Sequence, residues 1–181
     1  MSETLATKRL VLRRPRLADA GAIFEEYASD PAVTRFLTWR PHRSVADTRA
    51  FLQLRLEIES RGDESSWVIT RGDDDRAIGA IGCTAERTAI SLGYVLGRRH
   101  WNHGYMSEAV RAVIAWGLTL PRVYRIWAVC DIDNIASRRV MEKAGMQREG
   151  ILRRWSLHPN ISNEPRDCYV YARIRSASQS G

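Results

Sequence analysis

The stretch ISLGYVLGRRHWNHGYMSEAVRAVIAWGL, residues 90–118, decides how the rest of the chain is read. Its opening ISLGYVL is a strand-like run stopped by a glycine, and from Ser107 to Leu118 apolar residues recur at helical spacing. Between the two, HWNHGYMSEA (100–109) places one glycine, Gly104, at a strand-to-helix junction. The first N–H groups of a helix have no intrahelical partners and sit at the positive end of its dipole, so such a junction can hold an anion. RIWAVC (125–130) follows as a buried-strand run. Strand, crossover helix and strand in that order predict a right-handed βαβ unit with parallel strands.

Working outward, KRLVLRRP (8–15) alternates Leu10 and Leu12 against Arg9, Val11 and Arg13 and stops at Pro15, which reads as a first strand. Ala18 to Ala28 suggests a short helix. Ser44 to Ser60 suggests a longer one, with Ser44 as N-cap, Gly62 as its close, and Ala50, Phe51, Leu54 and Ile58 as its apolar stripe. SSWVIT (65–70) and AIGAIGCTA (77–85) flank RGDDDR, a hairpin turn by composition. Beyond RIWAVC, Asn134 to Ala144 is helical with Ala136, Val140, Met141 and Ala144 on one face and Gly145 as its C′ residue. MQREGILRRW and RDCYVYARI read as two last strands. The sum is an α/β fold: a mixed, mostly antiparallel sheet with one parallel step in its middle, flanked by helices. Ligands in such sheets gather where the parallel pair opens at its C-terminal ends.

With 181 residues, the chain has room for one domain, expected over 1–175, with 176–181 (SASQSG) as a flexible tail. No apolar stretch approaches the roughly 18 residues of a spanning helix. The N-terminus lacks the apolar core of a signal peptide, so a cytoplasmic address is expected. Cys83, Cys130 and Cys168 are odd in number and widely spaced, as reduced core thiols would be. The net charge of +7 favours an anionic partner without separating nucleic acid from a phosphorylated cofactor. Paired arginines such as Arg98 and Arg99 either clamp a ribose phosphate or are solvated surface. No RNP-like pattern, zinc-finger spacing or heptad is present.

Two phosphate motifs are excluded: the chain has no Gly-Lys-Ser/Thr, and Gly97 and Gly104 are too far apart for G-x-G-x-x-G. Read together, residues 90–113 and VCDIDNIASRRVMEKAGMQREGILRRW (129–155) resemble the GNAT superfamily of N-acetyltransferases, in the branch of the RimJ and RimL type ribosomal-protein acetyltransferases. Trp101 to Met106 is similar to the family's (Q/R)-x-x-G-x-(G/A) loop, and Asn134 to Met146 to its N-x-A-S-x-x-V-x-x-x-x-G-(F/M) segment. Trp101 and Met106 depart from the loop consensus, but Met106 keeps its N–H. TWRPHRSVADTRAFL (38–52) and YARI (171–174) also resemble the family.

The resemblance implies a GNAT fold whose central parallel strands splay apart, with acetyl-CoA as acyl donor and no metal. It implies backbone groups of Val95 and Leu96 against the pantetheine arm, and Asn102, His103, Gly104, Tyr105, Met106 and Ser107 around the pyrophosphate. Asn134 would bond the pantetheine, and Ser137 would lie at the thioester sulfur as general acid. Trp39 would line the acceptor side, or else cap the core.

No general base is evident. Ser91 and Ser156 stand where relatives often carry glutamates, which leaves Glu149, His158 and Glu164 as candidates. About a tenth to a sixth of α-amines are neutral at pH 7, against less than about one lysine in a thousand. The implied acceptor is therefore a primary amine, that of a ribosomal or other protein or peptide N-terminus. Alternatives are a small-molecule amine such as an antibiotic or polyamine, or a non-catalytic acyl-CoA- or RNA-binding module. His100 and His103 form an H-x-x-H without a third ligand, so no metal is expected. Cys130 reads either as a buried thiol or as a nucleophile. A homodimer through the C-terminal strands is a further expectation.

Overall fold

The computed structural model describes residues 3–62 and 64–176, so most of the expected tail lies outside the described residues. Eight strands form one sheet, in the order β1-β2-β3-β4-β5-β6-β8-β7. They are β1 (Leu5–Ala6), β2 (Leu10–Arg13), β3 (Glu64–Arg71), β4 (Asp74–Ala85), β5 (Ala89–Leu96), β6 (Arg125–Asp131), β7 (Gln147–Ser156) and β8 (Arg166–Ile174). Each pairing is antiparallel except β5 with β6, the parallel step that residues 90–130 predict. The β3–β4 hairpin closes on Gly72 and Asp73, between the paired Arg71 and Asp74.

Alternation along the strands sends side chains to two cores. Trp67 and Ile69 of β3 join a large core beneath α4 (Tyr105–Gly117) and α5 (Ile135–Lys143), while Val68 between them joins a smaller core on the opposite face. That second core packs α1 (Ala20–Ile23), Tyr27 and Leu52 of α3 (Val45–Ser60). A short α2 (Pro31–Thr34), capped by Asp30 with Pro31 at its first position, was not foreseen. Among the described residues, no helix is long and apolar enough to cross a membrane.

Three local readings are corrected. The helix over 18–28 is composite: a 3-10 turn, α1, and then a π turn over Phe24–Ala28 that buries Glu26 and Tyr27. In α3 the expected stripe holds in part: Phe51 and Ile58 are half-buried, but Ala50 and Leu54 are exposed and the fully buried residues are Thr48, Leu52 and Glu59. Polar pairs set that face: His42 Nδ1 meets Thr48 Oγ1 at 2.8 Å, and Ser66 donates to Glu59. In α5, Ala136 faces solvent, and Met141 and Ala144 carry the packing.

Candidate active site

The parallel ladder runs from Ala89 with Arg125 to Leu92 with Ala128 and stops there, although β5 continues to Leu96 and β6 to Asp131. A wedge opens between the two strands. Gly97 donates its N–H to Ile78, which fixes the parity of β5: odd-numbered peptide groups face β4, and even-numbered ones face the wedge. Val95 is thus turned to β4, its carbonyl 2.6 Å from where a Cβ on Gly79 would stand. The Leu96 carbonyl accepts from the Trp101 indole at 2.8 Å. Tyr94, rather than Val95, presents its peptide groups to the gap. Trp101, the residue that departs from the loop consensus, ties the loop to the end of β5.

Between β5 and α4 the chain turns through Asn102 (φ 64°) and Gly104 (φ 77°), left-handed conformations that cost a side-chain-bearing residue most at Gly104. Gly104 is the N-cap and supplies no side-chain cap. The first intrahelical N–H is that of Glu108, to the Gly104 carbonyl, so the N–H groups of Tyr105, Met106 and Ser107 precede the helical ladder. Asn102, His103 and Gly104 are exposed, Tyr105 is half-buried, and Met106 and Ser107 are buried.

Sequence reasoning missed Arg9, which braces this loop. Its guanidinium donates to the His103 carbonyl at 2.9 Å and to Glu108 at 2.8 Å, and it lies over the Tyr105 ring, itself stacked on His103. Burial would raise the Glu108 pKa, but donors from Thr7 and Arg9 outweigh it and hold the carboxyl below its ordinary value. A second brace is Glu26, buried on the π turn and paired with Arg76, Arg99 and His100. Desolvation again pushes up and the cations push down further, so Glu26 stays ionised. Arg99 and Arg98 are thus engaged by Glu26 and Asp30, though both guanidinium groups remain largely exposed. His100 and His103 turn to different partners, Glu26 and the Trp101 carbonyl.

On the other side of the wedge, α5 starts at Asn134, whose Oδ1 caps the Ser137 N–H at 3.1 Å and leaves its amide N–H groups as donors. The Ser137 hydroxyl lies 2.8 Å from the Tyr94 hydroxyl. Burial raises the Tyr94 pKa and keeps the phenol protonated. Burial likewise pushes the Cys130 thiol up to about 12, leaving it a poor nucleophile.

A cavity of about 680 Å³ extends from this pair across the sheet. Its lining includes Ser137, Asn134 and His158 together with Trp39, Phe51 and Tyr27. Trp39 lines the cavity and also packs on the smaller core, its ring tilted against those of His42 and Phe51 with centroids 5.0 and 5.8 Å away. Asn160, which no sequence motif marked, donates to the Thr34 and Trp39 carbonyls, each at 2.8 Å. Of the candidate bases, Glu149 lines a separate groove paired to Arg125, and Glu164 is exposed beside Arg154. Only His158 faces the cavity. Among the described residues, no group of three His, Cys, Asp or Glu is placed to hold a metal.

Residues 9–147 match the family described as acetyltransferase (GNAT) domain. The chain belongs to the GNAT acetyltransferase family and is an acyltransferase. It is 34% identical over 154 residues to the uncharacterized N-acetyltransferase p20 of Bacillus licheniformis, covering 83% of this chain and 86% of the relative. It is 28% identical to the ribosomal-protein-serine acetyltransferase of Escherichia coli, covering 73% of each. A GNAT-family acetyltransferase of known structure from Bacillus anthracis superposes with a TM-score of 0.82 at 28% identity, over 95% of this chain and 98% of that one. RimL, a ribosomal L7/L12 α-N-protein acetyltransferase solved with coenzyme A, shares the fold at a TM-score of 0.82 and 23% identity, over 95% of this chain and 98% of that one.

Proposed function

We propose that this acyltransferase moves an acetyl group from acetyl-CoA to a primary amine, the N-terminal α-amine of a protein or peptide, by direct attack in a ternary complex. One observation carries the reading: the β5–β6 wedge joins an uncapped, glycine-started helix to the Ser137–Tyr94 hydroxyl pair. The donor set fits the coenzyme's chemistry. The N–H groups of Tyr105, Met106 and Ser107 suit a pyrophosphate, with Asn102, His103 and Gly104 forming the exposed turn around it. Tyr94 peptide groups, the Leu96 end of β5 and the Asn134 amide suit the amides of a pantetheine arm.

Each residue then has a task. Alignment of two substrates in the wedge supplies roughly 7 to 11 kcal/mol of the barrier. Ser137 donates a proton to the departing thiolate, and Tyr94, its hydrogen-bond partner, replenishes that proton. Trp39 and Phe51 form an apolar wall for the acceptor's first side chains.

The α-amine acceptor is favoured by how the cavity's carboxylates are used. Glu64 is paired with Arg55 at 2.6 Å, and Asp131 with Arg166 at 2.5 Å. Neither is left to bind an antibiotic or polyamine bearing several positive charges. Similarity to a ribosomal-protein-serine acetyltransferase makes serine-initiated peptides the first acceptors to try.

The test is acetyl transfer from acetyl-CoA to serine- and alanine-initiated peptides, their N-terminally blocked lysine-containing counterparts, and spermidine. Transfer confined to the free α-amines is the expected result. Transfer to spermidine or blocked lysine peptides alone overturns the acceptor assignment. Absence of acetyl-CoA binding by calorimetry overturns the whole reading and turns attention to RNA on the basic surface.

A further inference from the structure

We infer that Gly93, with Gly82 beside it, makes the seat for the first side chain of the acceptor and selects that side chain by size; this rests on the acetyltransferase reading above.

The strand registers place the cavity on one face of the sheet. Val68, Ala80 and Val95, paired directly across β3, β4 and β5, belong to the smaller core, as does Trp39. Residues two positions away along each strand share that face. The next paired row is therefore Ser66, Gly82 and Gly93, and the one after it Glu64, Thr84 and Ser91. All six line the cavity, together with the aromatic surface of Trp39 and Phe51. Moving away from the smaller core, the face drops from Val-Ala-Val to Ser-Gly-Gly.

Glycine inside a strand weakens it and leaves nothing to pack, so its presence there needs a cause. Two neighbouring glycines have a steric one: a Cβ on Gly79 would stand 2.6 Å from the Val95 carbonyl oxygen, and a Cβ on Gly97 would stand 2.9 Å from that of Glu26. Gly93 and Gly82 differ. A Cβ on Gly93 would meet nothing within 4 Å, and one on Gly82 would touch the Ser65 carbonyl at an ordinary 3.8 Å. Neither has a positive φ. The fold would accept alanine at both positions, and Gly93 is exposed although β5 lies in the middle of the eight-stranded sheet. The two glycines provide open space above the sheet.

That space begins where the wedge opens. Gly93 follows Leu92, the last β5 residue in the parallel ladder, and precedes Tyr94, whose hydroxyl lies 2.8 Å from that of Ser137. An α-amine brought to this point carries its Cα and first side chain with it, and the open row next to the wedge receives them. The surroundings hold no free charge: Ser66 donates to Glu59, Thr84 and Ser91 offer hydroxyls, and Glu64 is paired with Arg55 at 2.6 Å. An uncharged first side chain suits such a seat, because a charged one would lose its hydration without gaining a partner.

Two measurements test this. The first is kinetic: Gly93→Ala and Gly93→Val are assayed with peptides that begin with glycine, serine and leucine. Gly150→Ala, which adds a methyl group to β7 with nothing within 4 Å and outside the cavity, is the control and is expected to act as wild type. Gly93→Ala is expected to lower kcat/KM for the serine- and leucine-initiated peptides by about tenfold or more, and for the glycine-initiated peptide by less than about threefold. Gly93→Val enlarges the gap. Acetyl-CoA affinity and Tm do not fall in Gly93→Ala. Unchanged kcat/KM, or an equal loss whatever the first residue, overturns the proposal.

The second is nitrogen-15 NMR of wild type labelled at glycine and tryptophan, loaded with coenzyme A and titrated with a serine-initiated peptide. Gly82→Ala and Gly93→Ala assign the two amides, and Trp39→Phe the indole. The Gly82, Gly93 and Trp39 signals are expected to move together. Movement of the indole with both glycine amides still overturns the seat and leaves the acceptor cavity standing. If none of the three moves, the peptide does not enter the cavity, and the acceptor assignment fails along with the seat.

Discussion

The two ends of the wedge are built on different plans. At the proposed coenzyme end, a continuous run from Tyr94 to Ser107 offers groups that are mostly backbone: free N–H donors at the start of α4 and peptide groups at the end of β5. At the proposed acceptor end, Trp39, Phe51, Asp131, and the single turn carrying His158 and Asn160 come from four separate segments and present side chains. A site made of backbone depends on chain conformation and tolerates changes of side chain, which is why Trp101 and Met106 can depart from the loop consensus. A site made of side chains tolerates almost none, but its residues are free to vary between relatives with different acceptors.

That contrast breaks first at Gly104. Its φ of 77° lies beyond proline, which is locked near −65°. Gly104→Pro is expected to misdirect the Tyr105 to Ser107 N–H groups and weaken acetyl-CoA binding by about 100-fold or more, the loss of two charge-assisted hydrogen bonds. Calorimetry reads this directly. A variant that binds as wild type does would mean that the helix start is not the anion site.

Tyr94→Phe sharpens the contrast, since this residue belongs to both ends: its backbone faces the gap and its hydroxyl meets Ser137. The substitution spares the backbone. Expected is a fall in kcat of about tenfold, one hydrogen bond's worth, with acetyl-CoA affinity unchanged. Equal loss in both would place the hydroxyl in binding rather than proton transfer.

The same division explains what could be read before the fold was known. Strand order, the parallel step and the helix starts at Gly104 and Asn134 depend on local pattern, and local pattern is what a sequence displays. The resemblance pointed to Asn134 and Ser137, and the structure joins them, the Ser137 N–H donating to Asn134 and the Ser137 hydroxyl meeting that of Tyr94. It also named Val95, where the ladder parity that turns its peptide groups to β4 is invisible without the pairing register. Arg9 and Glu26 lie about 70 residues or more from the loop groups they brace, beyond any window of periodicity. The α3 stripe failed in part, at Ala50 and Leu54, for a related reason: beside Leu52 its inward face carries Thr48 and Glu59 in polar contacts to His42 and Ser66, which counting apolar residues cannot find.

Acid stability gives the finest comparison of the two ends, because each holds a buried carboxylate among cations. Glu26 at the coenzyme end has Arg76, Arg99 and His100, whereas Asp131 at the acceptor end has Arg166 as its close arginine partner, with His158 farther off. In both, desolvation raises the pKa and the partners more than offset it, so the folded value lies below the unfolded one. Such a group contributes its full stability above the unfolded value, near 4 for a carboxylate, and loses it as pH falls through the folded value. Removing one cation should therefore hurt Asp131 more. Arg166→Gln is expected to lower stability at neutral pH by about 2 kcal/mol, roughly 4 to 8 °C in Tm, a figure reduced because Arg166 is partly solvated. It should also move the acid-unfolding midpoint upward. Arg76→Gln leaves Glu26 with Arg99 and His100 and should cost less than half as much, about 1 kcal/mol or below. Thermal melts of both variants from neutral pH down to the onset of acid unfolding decide the matter. Equal losses would mean that the three cations around Glu26 do not substitute for one another, and that the coenzyme end is as dependent on single side chains as the acceptor end.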